Sequence, residues 1–214
     1  MVLRKLKPLH TNYASKIYLE GWDKLNFPTE TIPELREISN KLETLWGFRL
    51  IPVEGFVDSK SFLSCFRNHT MFCTQYVRHS SKPFFSDEPD IIHEVLGHTP
   101  LFTNKEMVTL YELIGKLAFQ ADAKQLIEIE RLAWFTIEAG LIEEAGEIKV
   151  LGTAILSSIG ELQYCVSDVV EKRPFVIEEV VNTEFDAYQM QRKLFFIPSI
   201  ATLRKEIEQY FKLN

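Results

Sequence analysis

Between Glu88 and Pro100 the chain reads EPDIIHEVLGHTP, which sets His93 and His98 five residues apart, with Glu94 between them and Gly97 just before the second histidine. Imidazole nitrogen is a common metal ligand, and a neighbouring carboxylate can serve as a further ligand or as a base. The spacing is not the HExxH of zinc proteases. In a regular α-helix a five-residue step rotates a side chain by ~140°. Two imidazoles can therefore reach one point only if the turn deforms near Gly97 or ends there. Taken alone, the pair also reads as two helix-end histidines, one in the core and one in solvent.

Glu138 sharpens the question. It lies in LAWFTIEAGLI (Leu132 to Ile142), where apolar residues occupy nearly every helical face, so its carboxylate is expected in a low-dielectric interior. An unpaired ionised carboxylate there costs several kcal/mol or takes up a proton. A cation would resolve that cost, and so would a salt bridge to Arg131 or another basic residue. Two imidazoles and one carboxylate are the ligand set of the facial triad, which leaves open positions on Fe(II) for oxygen and substrates.

The elements that must position these residues are mostly helical. The chain has 214 residues, 46% of them hydrophobic and 12% aromatic, which fits one domain with a large core and excludes a disordered scaffold. The net charge of -6 supplies no broad basic surface, so nucleic acid is not an expected partner. Leu35, Ile38, Leu42 and Leu45 predict a helix after Pro33 that stops near Gly47. Thr103 with Glu106 reads as a capping box ahead of Met107, Leu110, Ile114 and Leu117. Helical spacing returns in Ile155, Ile159 and Leu162, and in a last helix from Ser199 to Leu213. Strand signals are few: FRLIPV (Phe48 to Val53), and a small hairpin over Leu141 to Leu151 turning near Gly146. Val77 to Pro89 reads as an irregular loop of a length that often carries function.

Cys65, Cys73 and Cys165 are odd in number and widely spaced, and are expected to be reduced core thiols. No apolar run of about 20 residues predicts a membrane span. MVLRKLKPLH has basic residues but no apolar run to make a signal peptide, so the expected location is cytoplasmic.

Three segments together, FCTQYVRHSSKPFFSDEPDIIHEVLGHTPLF (Phe72 to Phe102), LAWFTIEAGL (Leu132 to Leu141) and LSSIGELQYCVS (Leu156 to Ser167), resemble the catalytic domain of the pterin-dependent aromatic amino acid hydroxylases. The motifs occur in the family's order, in register from about His10 to Glu184, and the phenylalanine-hydroxylating branch is the nearest. The resemblance implies a mostly α single catalytic domain over residues 1–214 with a small β-hairpin. It implies a monooxygenase using Fe(II), tetrahydrobiopterin or another reduced pterin, and O2 as co-substrate, to hydroxylate the ring of an aromatic amino acid, phenylalanine to tyrosine being the expected reaction.

Residue by residue, the resemblance makes His93, His98 and Glu138 the iron ligands. Glu94 falls at the position that approaches the pterin; otherwise it is a solvent-exposed helix carboxylate. PVEGFVDSKSFL (Pro52 to Leu63) resembles the pterin loop, in which Gly55 and Val57 would offer backbone groups and Phe62 would stack on the ring. Arg78 matches the arginine that holds the substrate carboxylate, with Ser86 in place of a usual threonine beside it; the alternative is a solvated loop arginine. Phe85 and Trp134 would wall the ring pocket, with Glu88 beside it and Pro89 setting the start of the helix that bears His93. Ser157 and Glu161, four apart on one helix face, match residues behind the site, or form a local hydrogen bond. Trp134 occurs in the phenylalanine and tyrosine enzymes, whereas tryptophan enzymes tend to have Phe there, so a smaller ring is favoured.

The chain departs from the family at Ala133, where Tyr is typical, which puts coupling of pterin oxidation to hydroxylation in question. Asp87 replaces a common Pro and Phe72 replaces the His of the phenylalanine enzymes, which bears on specificity. The family's regulatory domain, the first part of its catalytic domain and the heptad tail that assembles tetramers have no counterpart here, so a monomer or weak dimer is expected. Two rival readings are a His-His-Glu zinc hydrolase with Glu94 as base, and a degenerate member that binds metal or a partner without turnover.

Overall fold

The structure, a computed structural model, describes residues 2–28, 31–55, 57–84 and 88–212. Helices dominate it. Helices α1 (Val2–Tyr13) and α2 (Lys16–Leu25) open the chain, followed by α3 (Leu35–Trp46), strand β1 (Arg49–Val53), α4 (Ser59–Cys65) and β2 (Thr70–Thr74). Two long helices come next, α5 (Lys105–Gln120) and α6 (Ala123–Ala133). The remainder is β3 (Leu141–Glu144), β4 (Glu147–Val150), α7 (Thr153–Leu156), α8 (Ile159–Cys165), β5 (Glu171–Pro174), α9 (Ile177–Val180), β6 (Lys193–Ile197) and α10 (Ile200–Tyr210). No helix among the described residues is long and apolar enough to cross a membrane.

Helix α3 stops where expected, because Gly47 takes the left-handed conformation (φ 70°) that closes a helix without a Cβ penalty. The start of α5 differs by one residue from the sequence reading. Its cap is Asn104, whose side chain accepts from the Glu106 and Met107 amides at 2.9 and 3.2 Å, while the Thr103 hydroxyl turns back to Pro100 O at 2.9 Å. Asn and Thr are both good caps, and the one with helical backbone on its C-terminal side wins. Helix α5 buries residues on most of its faces and lies against α4, α6 and α10, which makes it the centre of the core.

The hairpin forms as read, β3 against β4 with Ala145 and Gly146 at positive φ in the turn. It is part of a larger sheet, in the order β4-β3-β6-β5, whose β3–β6 and β5–β6 pairs are parallel; a second, parallel sheet joins β1 to β2. Strands β2, β5 and β6 are absent from the sequence reading. KLFFI in β6 is a short apolar run whose period cannot tell a buried strand from a helix, and β5 is a short, half-exposed EKRP. The single helix expected around Ile155 to Leu162 is instead two, α7 and α8, broken at Ser157 and Ser158; the Ser158 hydroxyl caps α8 by accepting from the Glu161 amide. Ser157 and Glu161 thus do not share a helix face, and no hydrogen bond joins them. Helix α10 begins one residue after its Ser199 cap and ends at Tyr210. All three cysteines are free and buried, and burial pushes the Cys65 and Cys165 thiols up to about 12, so they stay protonated.

Two buried polar arrangements tie the irregular segment after β2 and the amino-terminal helices to the site. Between β2 and Ile91 the described residues carry no helix or strand, and Arg78 anchors this loop. Its side chain is buried, and Asp90, fully buried, accepts from Arg78 Nε at 2.8 Å, Nη2 at 2.7 Å and the Arg78 amide at 2.9 Å. Asp90 Oδ1 also accepts from the His93 amide at 3.0 Å, so one carboxylate caps the helical turn and clamps the loop. Burial alone would raise the Asp90 carboxyl; the Arg78 hydrogen bonds and charge outweigh it and hold it below the usual range. On the other side, His10 of α1 donates from Nε2 to Leu156 O at 2.7 Å, and Tyr18 of α2 donates to Leu96 O at 2.8 Å.

Asp90→Ala leaves a guanidinium buried without its partner and should cost about 3–5 kcal/mol, lowering the calorimetric Tm by roughly 10 °C. Adding Arg78→Met should recover part of that loss; a single variant with unchanged Tm would refute the clamp. Burial also depresses His10 to about 4, so the unfolded chain takes up this proton near the ordinary value of 6.5 while the folded protein resists. Stability held above pH 6.5 is therefore lost as pH falls toward 4, by as much as about 3 kcal/mol. His10→Gln keeps a donor to Leu156 O and should shed that part of the acid sensitivity, read as a shallower fall in Tm between pH 7 and pH 4.5.

Candidate functional site

Two departures from α-helical winding build the site. Residues His93–His98 form a π-helical turn, and a second one, Trp134–Glu138, continues α6. In a π turn the residue five positions on is the hydrogen-bonding partner and so stacks on the same face. This is the deformation that the five-residue histidine spacing demands. It brings His93 Nε2 within 3.1 Å of His98 Nε2. In the second turn the Ala139 amide bonds to Trp134 O at 2.7 Å, and Glu138 swings toward the histidines. Its Oε1 lies 3.5 Å from His98 Nε2 and its Oε2 3.6 Å from His93 Nε2. Arg131 is turned elsewhere, to Val181 O and Glu184, so the alternative of a Glu138–Arg131 salt bridge is overturned.

The hydrogen bonds decide which nitrogen of His93 carries its lone pair. Ser157 Oγ spends its proton on Ala154 O at 3.1 Å and so accepts from His93 Nδ1–H at 3.1 Å. On the far side of His98, the Tyr111 hydroxyl of α5 sits 3.1 Å from Nδ1. Burial pushes His93 down to about 4 and His98 well below its ordinary value, so both rings are neutral. Burial raises Glu138 to about 7, against the Thr153 hydrogen bond that lowers it. Two nitrogens 3.1 Å apart, each with a Glu138 oxygen 3.5–3.6 Å away, are spaced to share one cation through bonds of ~2 Å, the length from nitrogen or oxygen to a divalent transition metal. Neutral imidazoles and a carboxylate suit Fe(II) and Zn(II) alike.

Glu94 is not the exposed carboxylate of the alternative reading: it is 3% exposed. Its ligand atom comes within 4.8 Å of those of His93 and His98, yet its Oε1 already takes the Thr74 amide at 3.3 Å and lies 3.1 Å from the Thr74 hydroxyl. Of the two carboxylates, Glu138 is therefore the better third ligand, and Glu94 the wall beside it. Burial pushes Glu94 up to about 8, and its Oε2 is buried with no partner. That orphaned oxygen, which bears the proton when Glu94 is neutral, has a hydrogen bond left to give to a ligand in the cleft.

A cleft of 330 Å³ opens in front of these groups. One wall carries Gly55, Val57 and Phe62, with Gly55 at φ 95° and open space where a Cβ would stand, and Phe62 edge-on to Phe66 at 5.2 Å. A flat heterocycle with backbone partners fits such a wall. The lining also includes Trp134, which stacks on Phe185 at 4.6 Å, together with Ser157 and Glu161; burial raises Glu161 to about 7. Glu88 and Pro89 line it as well, and Pro89 O accepts from the Thr74 hydroxyl. Arg78 also faces the cleft. Three of its five N–H groups are committed to Asp90 and Ser157 O, which leaves two for a ligand carboxylate. Phe85, Ser86 and Asp87 lie outside the described residues.

Sequence reasoning missed Asp90, Tyr111, Thr153, Thr74 and Phe185. Asp90 carries a readable signal, an acidic cap just before the apolar run; the others belong to no motif and meet the site only through the fold.

A family model described as biopterin-dependent aromatic amino acid hydroxylase matches residues 1–213. Among curated relatives, a tyrosine 3-monooxygenase of Schistosoma mansoni is 35% identical over 218 residues, covering 100% of this chain and 47% of the relative. A phenylalanine-4-hydroxylase of Rattus norvegicus is 35% identical over 213 residues, covering 98% and 47%. The chain thus spans about half the length of these relatives. Among solved structures, the phenylalanine hydroxylase of Colwellia psychrerythraea superposes with a TM-score of 0.92 at 29% identity, over 99% of this chain and 83% of that one. That of Chromobacterium violaceum, solved with iron(III) and 7,8-dihydrobiopterin, gives 0.92 at 27% identity, over 99% and 79%. A match that runs the length of the chain, joined to a fold shared with such enzymes, shows that the chain belongs to the biopterin-dependent aromatic amino acid hydroxylase family.

Proposed function

We propose that the chain is a monooxygenase that hydroxylates the ring of an aromatic amino acid, phenylalanine to tyrosine, with ferrous iron held by His93 Nε2, His98 Nε2 and Glu138. The observation that carries this reading is the convergence of two neutral imidazoles and one partly buried carboxylate within 3.6 Å of one another beside a cleft of 330 Å³. When bound, iron and a reduced pterin such as tetrahydrobiopterin supply the activation of O2, the pterin providing two electrons.

The chain's own residues bind, orient and exclude water. Phe62 offers an apolar plate to the pterin, Gly55 and Val57 offer backbone groups, and Glu94 holds a proton at a buried oxygen facing that side. The two uncommitted N–H groups of Arg78 hold the amino-acid carboxylate, so the ring is directed toward Trp134 and the histidines. Ser157 fixes the His93 ring, and Phe185 backs Trp134 so that the ring pocket keeps its shape. Ala133 is buried within α6, so the place of the family's usual tyrosine is taken by packing.

A second reading, tyrosine as substrate, draws on one observation: Trp134 Nε1 is buried without a partner and could take a ring hydroxyl. The equal 35% identity to enzymes named for either substrate does not separate them.

Anaerobic loading with Fe(II), followed by oxygen, a reduced pterin and each aromatic amino acid, should give tyrosine from phenylalanine with the highest kcat/KM. Tyrosine turned over faster than phenylalanine would select the second reading. Zinc in place of iron, which has no redox change to offer, should give no product; pterin oxidation and product both absent from the iron-loaded protein would favour a non-catalytic member. His93→Ala or Glu138→Ala should abolish product and lose bound iron by elemental analysis, and chelation of the native protein should do the same reversibly. Variants that keep their iron would refute the ligand set.

A further inference from the structure

Glu161 lines the cleft from the first turn of α8. The Ser158 hydroxyl accepts from its amide at 3.3 Å, which fixes the backbone from which the side chain leaves. Among the described residues no hydrogen bond or ion pair reaches its carboxylate. Arg78 comes to the same end of the cleft, since its Nη1 donates at 3.2 Å to the carbonyl of Ser157, at the break that leads into α8. The acid senses this charge: burial pushes Glu161 up to about 7 and the Arg78 guanidinium draws it back. The two do not pair, because Arg78 is turned to Asp90.

A guanidinium and a carboxylate that face one cleft, near enough to feel each other yet unpaired, suit a ligand that carries the two opposite charges side by side. An α-amino acid bears them on a single carbon. Once Arg78 takes its carboxylate, its ammonium is drawn out of water at the same place, and an ammonium buried without a counter-charge is strongly disfavoured. Of the other acids in the lining, Glu138 faces the two histidines and Glu94 is held by Thr74. An arriving cation would also keep the Glu161 carboxylate ionised against the pull of burial.

We propose that Glu161 takes the α-ammonium of the substrate, so that the cleft selects aromatic amino acids over aromatic carboxylic acids that lack the amine. The inference rests on the amino-acid reading made above. A ligand without the amine satisfies Arg78 and leaves Glu161 unpaired beside a second negative charge, which is how a polar site rejects an analogue that lacks the group it was built to meet.

Titration calorimetry on the full chain, loaded with Fe(II) in the absence of oxygen, tests this with L-phenylalanine against 3-phenylpropanoate. Wild type should bind the amino acid at least about tenfold more tightly, and Glu161→Gln should weaken L-phenylalanine by about 30-fold or more while leaving 3-phenylpropanoate unchanged or tighter. A merely structural role would weaken both ligands together, and that result would overturn the inference. A Gln variant that keeps the full wild-type preference would overturn it too, by giving the ammonium to another acid such as Glu88. Wild type that binds no aromatic amino acid would overturn the amino-acid reading and this inference with it, whereas equal affinity of wild type for the two ligands would overturn this inference alone. Should Glu161→Gln fail to fold, Glu161→Asp, which withdraws the same charge by one methylene, must show a reduced preference; an unchanged one would refute the role.

Discussion

Three groups able to ligate one cation are crowded within 3.1–3.6 Å of one another inside the chain, at His93, His98 and Glu138. Each ring is neutral and each is gripped at its far nitrogen, by Ser157 and by Tyr111, so neither can relieve the crowding by turning. Much of the rest follows from that constraint. The backbone must leave α-helical winding twice to aim the donors, and both π turns are braced from behind: Leu96 O by Tyr18 of α2, and Gly140, just past Glu138, by the Leu151 and Gly152 amides that bond its carbonyl.

The same economy governs the buried charges. Arg78 and Asp90 are both removed from water, which is tolerable only because their geometry is bidentate and the remaining carboxylate lone pairs take backbone amides. The consequence for the cleft is selectivity of orientation. A guanidinium already fixed along one edge presents its other N–H groups in one direction, so an incoming carboxylate finds a rigid partner and loses less entropy on binding.

What could be read without coordinates was what depends on local pattern. The histidine spacing and the hairpin at Gly146 follow from composition within a dozen residues, Glu138 is partly buried where an interior position was expected, and the resemblance to a family placed Phe62, Arg78 and Trp134 around one cleft. The exact cap of α5 was off by one residue because Thr103 and Asn104 are both competent oxygens and only the path of the chain chooses between them. The break at Ser157 and Ser158 was hidden because helical spacing of Ile155, Ile159 and Leu162 survives an interruption that keeps all three buried. Strands β2, β5 and β6 find partners far along the chain, and Tyr111 and Thr153 reach the site across 13 and 55 residues from His98. Pairings of that kind leave no trace in a window of sequence.

The parallel pair β1–β2 reaches beyond its size. Val53 stands in register with Thr74, and the chain runs on from Val53 into the stretch that carries Gly55 and Val57, while Thr74 grips Glu94. Ribbon and acid are therefore yoked like two oxen to one beam: a slip of one residue in that pairing would move the backbone lip of the cleft along the strand and at the same stroke release the carboxylic acid from its holder. Such a molecule has few ways to drift into a half-competent form, since the two sides fail together.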